Sequence, residues 1–496
     1  MADKIGGVFS RESMLKHVVC IGNSGAGKTV ALKGLVEDMA LAGVPGIVID
    51  TQGDLAALAL VNPPNELHVE YETDEEIDRK RYANDVEVVI WTPTTDIGRP
   101  LCINPLAGLA GVLKLDINER VRAYTGVATM MCDLAGYDSK SSAGRSAVAI
   151  LDCIISKSFE AGKMIASVED LADMAFLSQG DEQIEKVAKE SQVEELARRL
   201  AQLNVGMSRL LYTFGEPMSI NNLLGIGLQK TRISVIYLNP VHSDDMKKFI
   251  IGAICEAMYT WMMQTPRPEL RAFMFLDEIG PYVPPTNRPQ PQSADSIVMM
   301  LKQGRKYGVC MMLASQNTTD INYKATSNAS TFIAGRLQAH QDREQVRNKI
   351  DDKFLGRLPF LKAGDMLVHS PDNFERTKEW HPRWPHSQHR TLSDPEVREI
   401  TKGAKNVVCG KVEQKDTAHE IGRHILDKAK NGDERWRRWV ARWNEKHREA
   451  NADTGGNGEG GTTESRDNQE GSEGARNNNV GADRSDVPHG GAATEH

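Results

Sequence analysis

The stretch "IGNSGAGKTV", residues 21–30, fits G-x-x-x-x-G-K-[ST] from Gly22 through Gly27 and Lys28 to Thr29. Before it, "HVVC" has the composition of a short buried strand. After it, "KTVALKGLVEDMALAG" has the pattern of a helix ending at Gly43. Strand, glycine-rich loop and helix in this order make a phosphate cradle. Glycines let successive backbone N–H groups turn inward, and the helix N-terminus adds positive partial charge. The residues expected to contact a nucleotide are Gly22, Asn23, Ser24, Gly25, Ala26, Gly27, Lys28, Thr29 and Val30. Lys28 would reach the β- and γ-phosphates, and the Thr29 hydroxyl would ligate Mg2+.

Outward from that loop, strand and helix signals alternate. "VPGIVIDTQGDL" ends a buried strand at Asp50 and carries Asp54 in the following loop. "VEVVIWTP" is a strand over residues 86–93. Residues 117–215 change character: they are rich in Ala, Leu and charge, and "VEELARRLAQLN" has helical periodicity. Strand signals return with "KTRISVIYLNP", "RAFMFLDE", "GVCMMLAS", "TFIAGRL" and "GDMLVHS". Unbroken apolar strands separated by helices predict an α/β fold whose sheet is mostly parallel and covered on both faces. The expected division is a core in two parts, 1–116 and 216–395, a helical insertion at 117–215, a helical extension at 396–450 and a disordered tail at 451–496. The tail is rich in Gly, Asn, Ser and acids and nearly free of apolar side chains.

"FMFLDEIGPYVPP" puts Asp277 and Glu278 at the end of a buried strand. Two adjacent acids there fit two separate tasks: Asp277 in the Mg2+ shell and Glu278 as the base that orients and deprotonates the attacking water. The next strand ends at Gln316, a neutral group able to meet the γ-phosphate or the water. Arg305 in "LKQGRKYG" and Arg336 in "TFIAGRL" are the candidates for an arginine that neutralises transition-state charge across a subunit boundary. "NKID" at 348–351 matches the guanine-selecting N-K-x-D pattern but follows a helix-like stretch, so the nucleotide is read as ATP.

Composition narrows the class. The 496 residues are 40% hydrophobic, 26% charged and 6% aromatic, with a net charge of −8, so no global basic field marks the chain as a nucleic-acid binder. Seven scattered cysteines without a C-x-x-C pair suit a reducing cytoplasm. No apolar run is long enough to span a bilayer, and no membrane role is expected. Trp436, Trp439 and Trp443 share one face of a predicted helix that packs on the protein's own surface or docks a partner chain or nucleic acid. His381, His386 and His389 in "WHPRWPHSQHR" lack acids or cysteines at ligand spacing, which argues against a metal site.

Taken in order, these pieces resemble the HerA/FtsK superfamily of P-loop motor ATPases, closest to the bacterial and archaeal HerA-like ATP-binding proteins. The resemblance spans most of residues 15–395 and adds "VVIWTPTTDIGRPLCINPL", "GEPMSINNLLG" and "LPFLKAGDMLVHSP" to the stretches above. It implies a RecA-like core, ATP hydrolysis with Mg2+, and a ring, often a homo-hexamer. It also implies Lys28, Thr29, Asp277, Glu278 and Gln316 in the roles just given. Arg336 falls where such proteins carry a trans-acting arginine, and Arg305 lies in a segment similar to their GRK-aromatic-G motif. About 16 residues precede the first strand, so the small N-terminal β-barrel of the nuclease-docking members is expected to be missing. The resulting expectation is a cytoplasmic, ring-forming ATPase that moves or remodels double-stranded DNA with a nuclease or other effector. The alternative is an ATP-dependent scaffold that licenses a partner enzyme without moving along DNA.

Overall fold

A computed structural model describes residues 4–63, 74–163, 165–288 and 290–402. The expected tail, most of the expected C-terminal extension and the three tryptophans at 436–443 lie outside the described residues. A short hairpin, β1 (Lys4–Ile5) and β2 (Phe9–Ser10), precedes the main sheet. The sheet strands are β3 (Val18–Ile21), β4 (Gly46–Asp50), β5 (Val86–Pro93), β6 (Arg99–Cys102), β7 (Glu216–Pro217), β8 (Thr231–Tyr237), β9 (Ala272–Leu276), β10 (Val309–Ser315), β11 (Thr331–Ala334), β12 (Met366–His369) and β13 (Lys378–Trp380). They lie in the order β13-β12-β11-β3-β10-β9-β4-β8-β5-β6-β7.

All pairings from β11 to β7 are parallel, whereas β11–β12 and β12–β13 are antiparallel. The mostly parallel α/β core expected from the sequence is the fold observed. Successive side chains of a strand face opposite sides, and here both sides are covered. On β9, Met274 and Leu276 enter one core cluster while Phe273 and Phe275 enter the other. That is why these strands are apolar throughout instead of alternating.

The P-loop helix Lys28–Leu41 packs on one face through Ala31, Leu32, Leu35 and Val36. Residues 117–213 form helices on the other, including Ile117–Leu134, Ser142–Glu160 and Glu190–Leu203. Their buried residues, such as Met131, Ile155 and Leu196, belong to the same cluster as Met274 and Leu313. The helical segment therefore shares a core with the sheet. The six described cysteines are free, and among the described residues no helix is long and apolar enough to cross a membrane.

Topology fixes where chemistry can happen. Strand β10 lies between β3 and β9, and all three run in the same direction. The loop after β3, the acids after β9 and Gln316 after β10 therefore emerge at one edge of the sheet.

Candidate nucleotide-binding site

The P-loop is held in shape by its own backbone and by its neighbours. Gly25 and Gly27 have φ of 72° and 93°, a region that favours glycine. Gly27 is further constrained, because a Cβ there would stand 2.8 Å from the Gly364 nitrogen. Asn23 N–H donates to the Arg336 carbonyl (2.8 Å), and Asn23 Oδ1 accepts from Gln338 N–H (2.8 Å). Gly364 N–H donates to the Ala26 carbonyl (3.0 Å). The cradle is thus stitched to the turn after β11 and to the loop before β12.

Lys28 is buried, and its Nζ donates to the carbonyls of Gly22 (2.6 Å) and Asn23 (3.3 Å). This pins the ammonium across the mouth of the loop, where incoming phosphate oxygens would take over its donors. Thr29 Oγ1 donates to Asp277 Oδ2 (3.1 Å). A hydroxyl and a carboxylate meeting in this way are the hard oxygen donors Mg2+ prefers, and nucleotide phosphates and waters would complete its shell. Among the described residues no cluster of three or more His, Cys, Asp or Glu offers an all-protein metal cage.

Burial pushes the Asp277 carboxyl upward, against the pull of Thr29 and Lys28. Burial also raises Glu278, opposed by hydrogen bonds from the side chain and backbone of Gln316. Glu278 has φ of 52°, a left-handed backbone that a glutamate enters at a cost of about 1–2 kcal/mol. Asp277 Oδ1 accepts the Glu278 N–H (3.0 Å), and the Ile279 N–H donates to Ala314 O (2.9 Å), which locks that turn. The strained residue is the one expected to handle water.

The structure brings Lys28, Thr29, Asp277, Glu278 and Gln316 together. The two arginines part company. Arg336 sits on its own P-loop, with a buried Nε that has no partner among the described residues. Arg305 is exposed in the 3-10 turn Gly304–Tyr307 just before β10, at the opposite edge of the sheet beside His17 and Asp372. The seven-residue β10 separates it from the site by roughly 20 Å, at about 3.3 Å per residue. Arg305 does not join its own subunit's site.

Sequence reasoning missed the support behind the loop. Buried Asp50 accepts N–H bonds from Gly53 (2.7 Å), Leu55 (3.0 Å) and Ala56 (2.8 Å), shaping the turn that carries Asp54. On the P-loop helix, fully buried Glu37 accepts from Arg383 Nη1 (2.9 Å), His386 N–H (2.7 Å) and Ser387 N–H (2.9 Å). One turn earlier, Lys33 Nζ donates to Gln388 O (2.5 Å). A Lys and a Glu at i, i+4 among the apolar residues of the P-loop helix was the available signal.

Fold and site are those of a P-loop nucleotide-binding protein, and part of the chain is similar to a known family. The profile of the helicase HerA-like C-terminal family matches residues 7–135. The unbound bacterial conjugative coupling protein TrwB is 12% identical over 79% of this chain and 90% of its own, with a TM-score of 0.50. Plasmid coupling protein TrwB with ADP and Mg2+ is 13% identical over 79% and 90%, with a TM-score of 0.51. VirB4 of Thermoanaerobacter pseudethanolicus aligns at 15% identity over 74% and 89%, with a TM-score of 0.49. Comparison with curated protein sequences gave no match.

Proposed function

We propose that the protein is the ATP-hydrolysing subunit of a ring, a homo-hexamer, that moves or remodels double-stranded DNA together with an effector protein. The observation that carries hydrolysis is the Thr29–Asp277 contact with Glu278 held beside it in a left-handed turn. Mg2+ on Thr29 and Asp277 would neutralise the phosphates as charge develops. Glu278, steadied by Gln316, would take the proton of the attacking water, a contribution of about 10²–10⁴ in rate. TrwB, a structure of the same fold, binds ADP and Mg2+, which supports the choice of ligand.

The position of Arg305 supports the ring. An exposed arginine about one strand length from its own site is a candidate to complete another subunit's, so the trans role falls to Arg305. Arg336, bonded through its carbonyl to its own P-loop, is better placed to act in cis.

DNA-stimulated ATPase, paired with triplex displacement on double-stranded DNA, is the deciding test. A motor couples turnover to its track, so DNA should raise hydrolysis several-fold and displacement should need ATP. Hydrolysis indifferent to DNA, with no displacement, would favour the scaffold reading.

A further inference from the structure

The 3-10 turn Leu358–Phe360, just before β12, takes no part in the hydrolysis just described. Its last residue, Phe360, is 83% exposed, the most exposed large apolar side chain among the described residues. We propose that Phe360 is the base platform of the nucleotide site, with its ring stacked on the purine. The proposal rests on reading the P-loop as a nucleotide site and names the part of the ligand that the P-loop leaves unheld.

The exposure of Phe360 is imposed by the turn that carries it. Pro359 presets the backbone, and three residues per turn put Leu358 and Leu361 on one face. Both are buried, in the same core cluster as Leu337. Phe360 falls between them and is turned outward.

The turn is tied to the P-loop on both sides. The Leu358 carbonyl accepts from Leu337 N–H (3.2 Å). Leu337 stands between Arg336, whose carbonyl accepts from Asn23 N–H (2.8 Å), and Gln338, whose N–H donates to Asn23 Oδ1 (2.8 Å). Beyond the turn, Gly364 N–H donates to the Ala26 carbonyl (3.0 Å). At no more than 3.6 Å per residue, Phe360 Cα lies within about 7 Å of Leu358 Cα and within about 14 Å of Gly364 Cα. The ring is therefore presented beside the phosphate cradle.

The sheet order gives the direction. Asp277, Glu278 and Gln316 follow β9 and β10 on one side of the P-loop strand β3, whereas β11 and β12 lie on the other. A γ-phosphate that meets those three groups leaves the nucleoside to emerge toward β11 and β12. Because β12 is antiparallel to β11, the turn before it opens at the same edge of the sheet as the P-loop. Arg336, just after β11, adds a buried Nε without a partner among the described residues, a donor for the phosphate next to the sugar. Stacking on a flat apolar face accepts any purine and contributes about tenfold or more in affinity.

The test is equilibrium binding of ADP and of inorganic tripolyphosphate to the full chain, in wild type, Phe360→Ala, Phe360→Leu, Phe360→Trp and Lys28→Ala. The proposal expects Phe360→Ala to weaken ADP about tenfold and leave tripolyphosphate unchanged. Phe360→Trp should keep most of the ADP affinity, and Phe360→Leu, apolar but not flat, should not. Phe360→Trp should also gain a fluorescence change with ADP that wild type lacks and tripolyphosphate does not produce. Unchanged ADP binding in Phe360→Ala would overturn the proposal, as it would if the variant altered only the oligomeric state. Equal loss of both ligands would overturn it too, because that means a disturbed P-loop. Lys28→Ala should lose both ligands. If wild type binds neither, the nucleotide reading itself fails and the platform with it, a result distinct from the others.

Discussion

Thr29 on the P-loop helix and Asp277 after β9 meet through a 3.1 Å hydrogen bond, although β10 separates their two strands. Two strand spacings are about 10 Å, so the helix start leans over the end of β10 to make the contact. Gln316, just after β10, follows the strand that lies between the two that carry the metal donors. Thr29→Ala should therefore raise the Mg2+ concentration needed for half-maximal hydrolysis, and Asp277→Asn should raise it further. Glu278→Gln should lower turnover by about 10²–10⁴ while ADP affinity stays within a few-fold. Steady-state ATPase and nucleotide binding on the same preparations check all three. Near-normal turnover in Glu278→Gln would remove Glu278 as the base.

Glu37 tests the support behind the loop. Its carboxylate is fully buried and satisfies a guanidinium and two backbone N–H groups. Glu37→Ala would strand all of them and should destabilise the protein by about 3–5 kcal/mol. Arg383→Met should cost less, because the two N–H groups still stabilise the carboxylate. Urea midpoints of the three proteins give the order. Equal midpoints for Glu37→Ala and wild type would show that residues 383–387 are not held through this residue.

His17 should couple stability to acid. It is buried, has φ of 67°, and its Nδ1 accepts the Met311 N–H at 3.0 Å, which requires that nitrogen to be unprotonated. Burial, with a contribution from Arg305, lowers its pKa to about 4 from the ordinary 6.5. Between those values the unfolded chain binds the proton and the folded chain refuses it. The histidine's contribution is thus fully present above pH 6.5 and fades as pH falls toward 4, by up to about 3 kcal/mol. Asp50, which burial pushes up to about 6, has the opposite slope but is common to both proteins compared. His17→Asn keeps an acceptor and tolerates the left-handed backbone. The stability gap between wild type and His17→Asn should be widest at pH 7 and shrink toward pH 4. A gap independent of pH would mean that His17 titrates normally.

The site was legible where its chemistry is local. Residues 21–30 specify loop and helix by short-range conformation alone, and Asp277–Glu278 stand out because charge rarely follows a run such as "FMFL". Parallel strands were legible because burial on both faces removes alternation. The antiparallel end was not, since β12 and β13 are four and three residues long and their direction depends on pairing distant in sequence. The same limit hid Glu37, whose partners lie about 350 residues away. It also blurred the arginines, because "GRK" and "AGRL" carry no record of which edge of the sheet each occupies.

Arg305 is the residue on which the proposed ring depends. If it completes a neighbour's site, Arg305→Ala should lower turnover by about 10³-fold or more and leave ADP binding to isolated subunits intact. Arg336→Ala, by contrast, should weaken nucleotide binding in isolated subunits, because that residue belongs to its own P-loop. Mixing separates cis from trans. Glu278 acts in its own subunit's pocket, so a ring containing both Glu278→Gln and Arg305→Ala subunits can bring an intact Glu278 against an intact Arg305. Some hydrolysis should return on mixing, highest near equal proportions, once subunit exchange has been verified by fluorescence transfer. The Glu278→Gln and Arg336→Ala mixture should regain none, because the two lesions then lie in separate pockets and a subunit with Glu278 intact always lacks Arg336. Recovery with Arg336→Ala and none with Arg305→Ala would reverse the assignment.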